Sequence, residues 1–466
     1  MRILKKSPAQ LMTVLLTLAL LAAACGGSDT AVDEVADTAA TTEVDEVVSE
    51  SEGEVVEADD AVSEASDTAD ADAAPETEAE QDDALAGASE EENQAALVEE
   101  ITAVLTDWQE GAGIPGASLS VRLPDREPIA VAVGVTDLVT EEEVTPEDFF
   151  RIGSITKPMT ATLVLQLIDE GLLELDEPVE TYLPGWLDGH EFSSEITIRQ
   201  LMDHTNGLIE YAFDPQFYVE SSDRLDQPLE SEELRSFLAS RDPLFEPGTA
   251  YSYETGGFFT LGDVIEIATG NSAAEEMRTR IFEPAGAENI FLAPQEFPPE
   301  SVVNGYGRGA LYVAGTALIA REDVDGLTIT SDTLTDDPVI DALGQPQAFL
   351  QSAGWTGGGA EAQLESVSAV FKALFDGTLL SDEQIAEMTT TVFDANYGLG
   401  INVSEVDGVQ IYRHGGGVPG FRSDAVYVPD FDITWAVSAN LIPLPDGADV
   451  DQLGDDLLPL LLDAVG

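Results

Sequence analysis

Between Ser28 and Asn93 the chain has no lysine, no arginine and no aromatic residue, while 25 of its positions are acidic. Alanine, threonine, valine and serine fill most of the rest. Such a stretch cannot bury enough apolar surface to offset the entropy of ordering it, and its like charges repel. Residues 25–93 therefore read as an extended acidic tether. Folding must be carried by residues 94–466. The full 466 residues have the length of two or three domains. No further linker-like run interrupts 94–466, which reads as one large domain.

Ahead of the tether, Arg2, Lys5 and Lys6 precede an apolar run from Leu11 to Ala24. The run is too short to span a bilayer and has the order of an export signal. It ends Leu21-Ala22-Ala23-Ala24-Cys25-Gly26. Small residues before the only cysteine resemble a bacterial lipoprotein signal, which implies removal of residues 1–24 and lipidation of Cys25. The expectation is a protein outside the cytoplasm, held to the membrane by its N-terminal lipid alone, with plain secretion as the alternative. One cysteine allows no intrachain disulfide. The acidity is not confined to the tether. Outside it lie 66 acidic residues, against 15 basic residues after the leader, so the remainder carries a net charge near −51. That disfavours nucleic acid and anionic lipid headgroups as partners.

After the leader the chain uses lysine only twice, at Lys157 and Lys372, although arginine is frequent. Lys157 stands three residues after Ser154 in Arg151-Ile152-Gly153-Ser154-Ile155-Thr156-Lys157-Pro158. Arginine cannot lose its proton inside a protein, whereas a buried lysine can. A hydroxyl nucleophile needs such a neighbour, so the pair points to covalent catalysis by serine.

The periodicity predicts a helix over 95–108, strands over 117–123 and 129–135, and a turn between them. A helix over 156–170 is closed by Gly171, with Pro158 in its first turn. That places Ser154 at the helix start, on one face with Lys157. Short helices and loops follow, with a helical subdomain expected over roughly 173–300. Strands are predicted over 408–412, 424–429 and 433–440, then a closing helix over 451–465 that contains Pro459. Strands at both ends around a helical middle indicate an α+β fold with one mainly antiparallel sheet.

Two further segments accompany Ser154 and Lys157. One is Pro247-Gly248-Thr249-Ala250-Tyr251-Ser252-Tyr253-Glu254-Thr255-Gly256; the other is Tyr412-Arg413-His414-Gly415-Gly416-Gly417-Val418-Pro419-Gly420. With Leu201 to Leu208 and Tyr397-Gly398-Leu399-Gly400, they follow in the order of the serine β-lactamase-related family. The domain resembles that family: class C β-lactamases, D-alanyl-D-alanine carboxypeptidases, D-aminopeptidases and related esterases. The resemblance implies Ser154 as nucleophile, with Lys157 and Tyr253 sharing proton transfer. It implies that His414, where many relatives have lysine, supports Tyr253 and the substrate. Backbone N–H groups of Ser154 and Gly417 would form the oxyanion hole. Thr255, Gly415 and Gly416 would line the substrate, a small molecule or peptide for which peptidoglycan is one source. No cofactor is implied, and no spaced His/Asp/Glu set points to a metal.

Two departures bear on the substrate. Thr255 stands where the family usually has asparagine, and a hydroxyl lacks a planar amide's separate donor and acceptor. Gly415 and Gly417 replace hydroxyl residues that grip a carboxylate, leaving Arg413 or Arg422 to supply that charge. Both points weaken the reading as an efficient β-lactamase or strict carboxypeptidase and leave room for an esterase or an amidase of small D-amino-acid or peptide substrates; the expected bond is an amide or ester of the D-alanyl peptide, β-lactam or small ester class. No G-x-S-x-G elbow surrounds Ser154, against an α/β-hydrolase. The rival outside enzymes is a binding or scaffold protein of the cell envelope. Of the other histidines, His204 is expected to pack and His190 to lie in a solvated loop. Tyr251 is the residue most easily confused with Tyr253.

Overall fold

The computed structural model describes residues 90–221, 227–308, 339–341, 347–445 and 448–466. The expected leader, Cys25 and the tether up to Ser89 lie outside the described residues. The first helix, α1, spans Glu90–Ala112, so it begins four residues before the expected domain start. Glu90, Glu91 and Glu92 extend it because acidic side chains are favoured at a helix N-terminus.

The centre of the fold is a six-stranded antiparallel sheet built from both ends of the described chain. Its strands are β1 (Gly116–Arg122), β2 (Ile129–Gly134), β8 (Asn402–Val406), β9 (Val409–Val418), β10 (Phe421–Val428) and β11 (Ile433–Ala439), numbered along the chain. The spatial order is β2-β1-β11-β10-β9-β8. Ala117 pairs with Ala439 and Arg122 with Thr434, so the early hairpin is completed by a late strand. Alternation along these strands supplies two cores. Leu119, Val121, Val426, Val428, Trp435 and Val437 face α1 and the last helix, α2 (Val450–Val465), which contains Pro459 as expected. Ala425, Tyr427 and Ala436 face the larger helical side. There Ser120 Oγ meets Ser368 Oγ of helix α3 (Leu364–Phe375) at 2.9 Å.

The larger side is centred on the helix α4 (Thr156–Asp169), buried at almost every position, including Lys157. A helix enclosed all round lies within the core rather than on a surface. It packs between Gly256–Thr269 and Gln347–Gly358. The helical mass therefore reaches beyond the expected span of 173–300. Within that span, β4 (Ile290–Leu292) is a strand of a small sheet with β3 (Phe150–Arg151) and β7 (Ala360–Ala362). That sheet fixes the chain immediately before Ser154, while β5 (Tyr306–Arg308) pairs with β6 (Val339–Asp341) elsewhere.

The strand expected over 408–412 runs further than predicted. The glycines after His414 remain part of it. Gly415, Gly416 and Gly417 continue β9, and the strand reverses only at Pro419-Gly420. Glycine is required there because a Cβ on Gly416 would overlap the Ile152 carbonyl oxygen. No helix among the described residues is long and apolar enough to cross a membrane.

Candidate active site

Ser154 sits in a 3₁₀ turn, Gly153–Ile155, that leads directly into α4. Gly153 holds φ at +55°, a left-handed conformation open to glycine without strain. The turn is fixed from three sides. Ile152 donates its N–H to Ala360 O at 3.1 Å. The Thr156 hydroxyl donates to Gly153 O at 2.7 Å and accepts from Ala360 N at 3.2 Å. Ser423 Oγ of β10 donates to Ile152 O at 2.9 Å. A Cβ on Gly153 would stand 2.9 Å from Gly417 N, so β9 runs against the turn and brings the Gly417 amide beside it.

Lys157 is fully enclosed. Its Nζ lies 3.2 Å from Ser154 Oγ, 3.4 Å from Thr255 Oγ1 and 2.8 Å from Gly357 O. It also sits 4.8 Å from the centroid of the Tyr253 ring and 5.6 Å from that of Phe258. Ser154, Lys157, Tyr253 and Thr255 therefore come together as expected. Tyr253, not Tyr251, is the tyrosine against Lys157. Burial and the Asp203 carboxylate push the Tyr251 phenol above its usual range, which disfavours it as a base.

His414 is close by, but its chemistry differs from a lysine's. Its ring centroid is 6.2 Å from that of Tyr253. Its Nδ1 lies 2.7 Å from Gly415 O, and its Nε2 lies 2.9 Å from the Tyr397 hydroxyl. A carbonyl only accepts, so this network assigns the proton to Nδ1 and makes Nε2 the acceptor from Tyr397. Burial, and then the nearby Lys157, hold the imidazole well below its usual pKa. His414 is thus a neutral group oriented by Tyr397, a residue that its Tyr397-Gly398-Leu399-Gly400 segment marked without a role. Burial likewise pushes the Tyr397 phenol well above its usual range, so it stays a neutral donor.

Neither Arg413 nor Arg422 is open to a substrate carboxylate. Strand alternation puts Arg413 and Arg422 on the face of the sheet opposite His414 and Ser423. Arg413 pairs with Asp424 at 3.1 Å and with Asp451. Arg422 Nε pairs with Asp449 at 2.9 Å, and its Nη1 donates to Gly416 O at 3.3 Å.

Two carboxyl groups that the sequence did not mark lie behind the site. Thr255 donates its hydroxyl to Glu210 Oε2 at 2.8 Å. Glu254 Oε1 accepts from Asn206 at 2.9 Å and its Oε2 from Gly257 N at 2.7 Å. Burial pushes both carboxyls up to about 7, and their mutual repulsion adds to the rise at Glu210. His204 packs as expected, fully buried, with its ring centroid 4.4 Å from that of Tyr253 and 4.8 Å from that of Tyr397. His190 differs from expectation. It is buried, and its Nδ1 accepts from Phe192 N at 3.3 Å. Among the described residues no group of three or more His, Cys, Asp or Glu side chains is placed to hold a metal.

The family model described as Beta-lactamase matches residues 95–457. The chain belongs to the beta-lactamase family. Within that family it is 33% identical over 187 residues to penicillin-binding protein 4 of Amycolatopsis lactamdurans, covering 39% of this chain and 46% of that protein. It is 25% identical over 319 residues to a D-aminopeptidase of Brucella anthropi, covering 68% of this chain and 54% of the relative. The chain thus spans about half the length of these curated relatives. Among solved structures, a D-stereospecific amidohydrolase from Streptomyces sp. aligns with a TM-score of 0.60 at 27% identity, over 80% of this chain and 98% of that one. D-amino acid amidase from Ochrobactrum anthropi SV3 aligns with a TM-score of 0.65 at 23% identity, over 79% and 99%, and shares the fold. The α+β architecture is therefore that of the beta-lactamase family.

Proposed function

We propose that this member of the beta-lactamase family is a serine hydrolase that passes an acyl group from an amide or ester to Ser154 and then to water. The carrying observation is Lys157 Nζ, fully enclosed and 3.2 Å from Ser154 Oγ. As a neutral amine, Lys157 takes the Ser154 proton while Oγ attacks the carbonyl carbon. The Ser154 and Gly417 amides receive the developing oxyanion. Lys157 and Tyr253 return the proton to the leaving amine or alcohol, and the same pair activates water for deacylation.

The substrate class follows from charge. Arg413 and Arg422 are committed to carboxylates on the far side of the sheet, so among the described residues neither offers its charge to a substrate carboxylate. Amides and esters without a carboxylate beside the scissile bond are the better fit. The relatives named for D-aminopeptidase and D-stereospecific amidohydrolase activity support small D-amino-acid amides and peptides. The test exposes the protein to a fluorophosphonate and to a fluorescent penicillin and maps the adduct by mass spectrometry. Labelling at Ser154 that disappears in Ser154→Ala is expected. No adduct with either reagent, together with no ester hydrolysis, would favour the scaffold reading.

The same proposal puts the enzyme outside the cytoplasm, joined to the membrane through lipid on Cys25 and the acidic stretch that follows. The leader pattern supports this. In a bacterial host, the full chain should fractionate with membranes and Cys25→Ser should not. Equal membrane association of the two would count against the anchor.

A further inference from the structure

Thr255 occupies the position where an amide was expected, and its hydroxyl joins two ionisable groups instead. Lys157 Nζ lies 3.4 Å from Thr255 Oγ1, and Thr255 Oγ1 lies 2.8 Å from Glu210 Oε2. The other oxygen, Glu210 Oε1, accepts from Ala212 N at 2.9 Å. A hydroxyl donates and accepts through one atom, so it can pass a proton along such a line; an amide NH₂ cannot do so without changing its bonding.

We propose that Glu210 is a positioning residue that takes up the proton of Lys157 through the Thr255 hydroxyl. A hydrogen of the Lys157 ammonium moves to Thr255 Oγ1 as the hydrogen already on Thr255 moves to Glu210 Oε2. The bond Nζ–H breaks and Oγ1–H forms; the old Oγ1–H breaks and Oε2–H forms. The pair passes from ammonium plus carboxylate to amine plus carboxylic acid, and the total number of protons is unchanged. Lys157 thereby becomes the base that Ser154 needs without releasing a proton to water. The inference rests on the acyl-transfer reading above.

The surroundings favour the neutral pair. Burial penalises two separated charges, and a Glu210 carboxyl raised to about 7 is a competent acceptor near neutral pH. The charged groups facing Glu210 are Lys157 and Glu254. Glu254 opposes a second negative charge beside it. His204, 3.7 Å from Glu254, adds no positive charge, because burial holds it well below its usual pKa.

The experiment measures the rate of fluorophosphonate labelling of Ser154 from pH 5 to 10. The wild type is compared with Glu210→Gln, Thr255→Val and Thr255→Ser. The probe carries neither an ammonium nor a carboxylate, so a role for Glu210 in binding substrate charge would not register. If the proton rests on Glu210, Lys157 is an amine beside a neutral acid, and Glu210→Gln puts a neutral amide in the acid's place, so the acid limb should stay where it is. Near neutral pH the wild type should show the infrared C=O band of a protonated carboxyl, and Glu210→Gln should lack it. Thr255→Val, which cuts the line, should slow labelling by about tenfold, less than the loss of a general base itself, and Thr255→Ser should restore most of that rate. If Glu210 were only a fixed negative charge, its removal would lower the Lys157 pKa and move the limb to lower pH, with no carboxyl band lost. Either of those two results would overturn the proposal. Labelling confined to Ser154 in the wild type keeps the acyl-transfer reading intact in either case.

Discussion

Lys157→Arg should lower ester hydrolysis by about 10³-fold, within the range lost when a general base is removed. That corresponds to about 4 kcal/mol of transition-state stabilisation. The substitution keeps a positive charge near Ser154 and near the Tyr253 ring, 4.8 Å from Nζ in the wild type. It removes the exchangeable proton, because a guanidinium stays charged at every working pH. The slot is fully buried and shaped for a straight chain that reaches Gly357 O at 2.8 Å. A second variant, Lys157→Gln, guards against a loss caused by misfolding alone. Both should melt cooperatively and keep the wild-type near-ultraviolet circular dichroism while losing activity at every pH from 6 to 9. Wild-type activity in Lys157→Arg would remove Lys157 from the role of base, whatever its distance from Ser154.

Gly416→Ala should have the next largest effect, although it adds one methyl group to a strand remote in sequence from the nucleophile. That methyl would overlap the Ile152 carbonyl oxygen, which Ser423 Oγ already holds at 2.9 Å. To accommodate it, β9 must retreat from the 3₁₀ turn. Gly417 N–H would then leave its position beside Ser154. Loss of one oxyanion donor costs about 10²–10³-fold in acylation, and overpacking costs about 1–3 kcal/mol of stability. Gly415→Ala is the matched control. It lies on the other face of β9, where its Cβ would meet Arg422 Nη1 at 2.9 Å, the far end of a flexible side chain. Acylation measured by stopped flow should change by less than about threefold in Gly415→Ala, the small effect usual away from such features. Equal losses in the two variants would show that β9 does not position the site.

What was legible in the sequence was carried by local pattern. Apolar alternation located β1, β2, β10 and β11, and the helix start after Ser154 put Lys157 on the same face as the nucleophile. What was missed depended on contacts between distant segments. The glycines of β9 carry no hydrophobic signal, so the predicted strand stops at Tyr412, and only the Ile152 carbonyl explains why no side chain fits at Gly416. Thr255 looked like the loss of an amide. Only the fold shows Glu210, 45 residues earlier, receiving its hydroxyl. The neutrality of His414 depends first on its burial, which is not visible in the residues around it. His190 was expected in solvent because a lone histidine in a polar loop carries no sign of enclosure.

The pairing of Ala117 with Ala439 also sets a timetable. On a ribosome adding about 5–20 residues per second, β1 waits roughly 15–60 s for its partner strand to be made. During that interval the segment around Ser154 lacks both the β9 amide that faces it and the Ala360 and Ser423 contacts that fix its turn. Any hydrolytic centre would thus assemble only after β9 and β11 are available. A nascent chain would carry Ser154 and Lys157 long before it could use them.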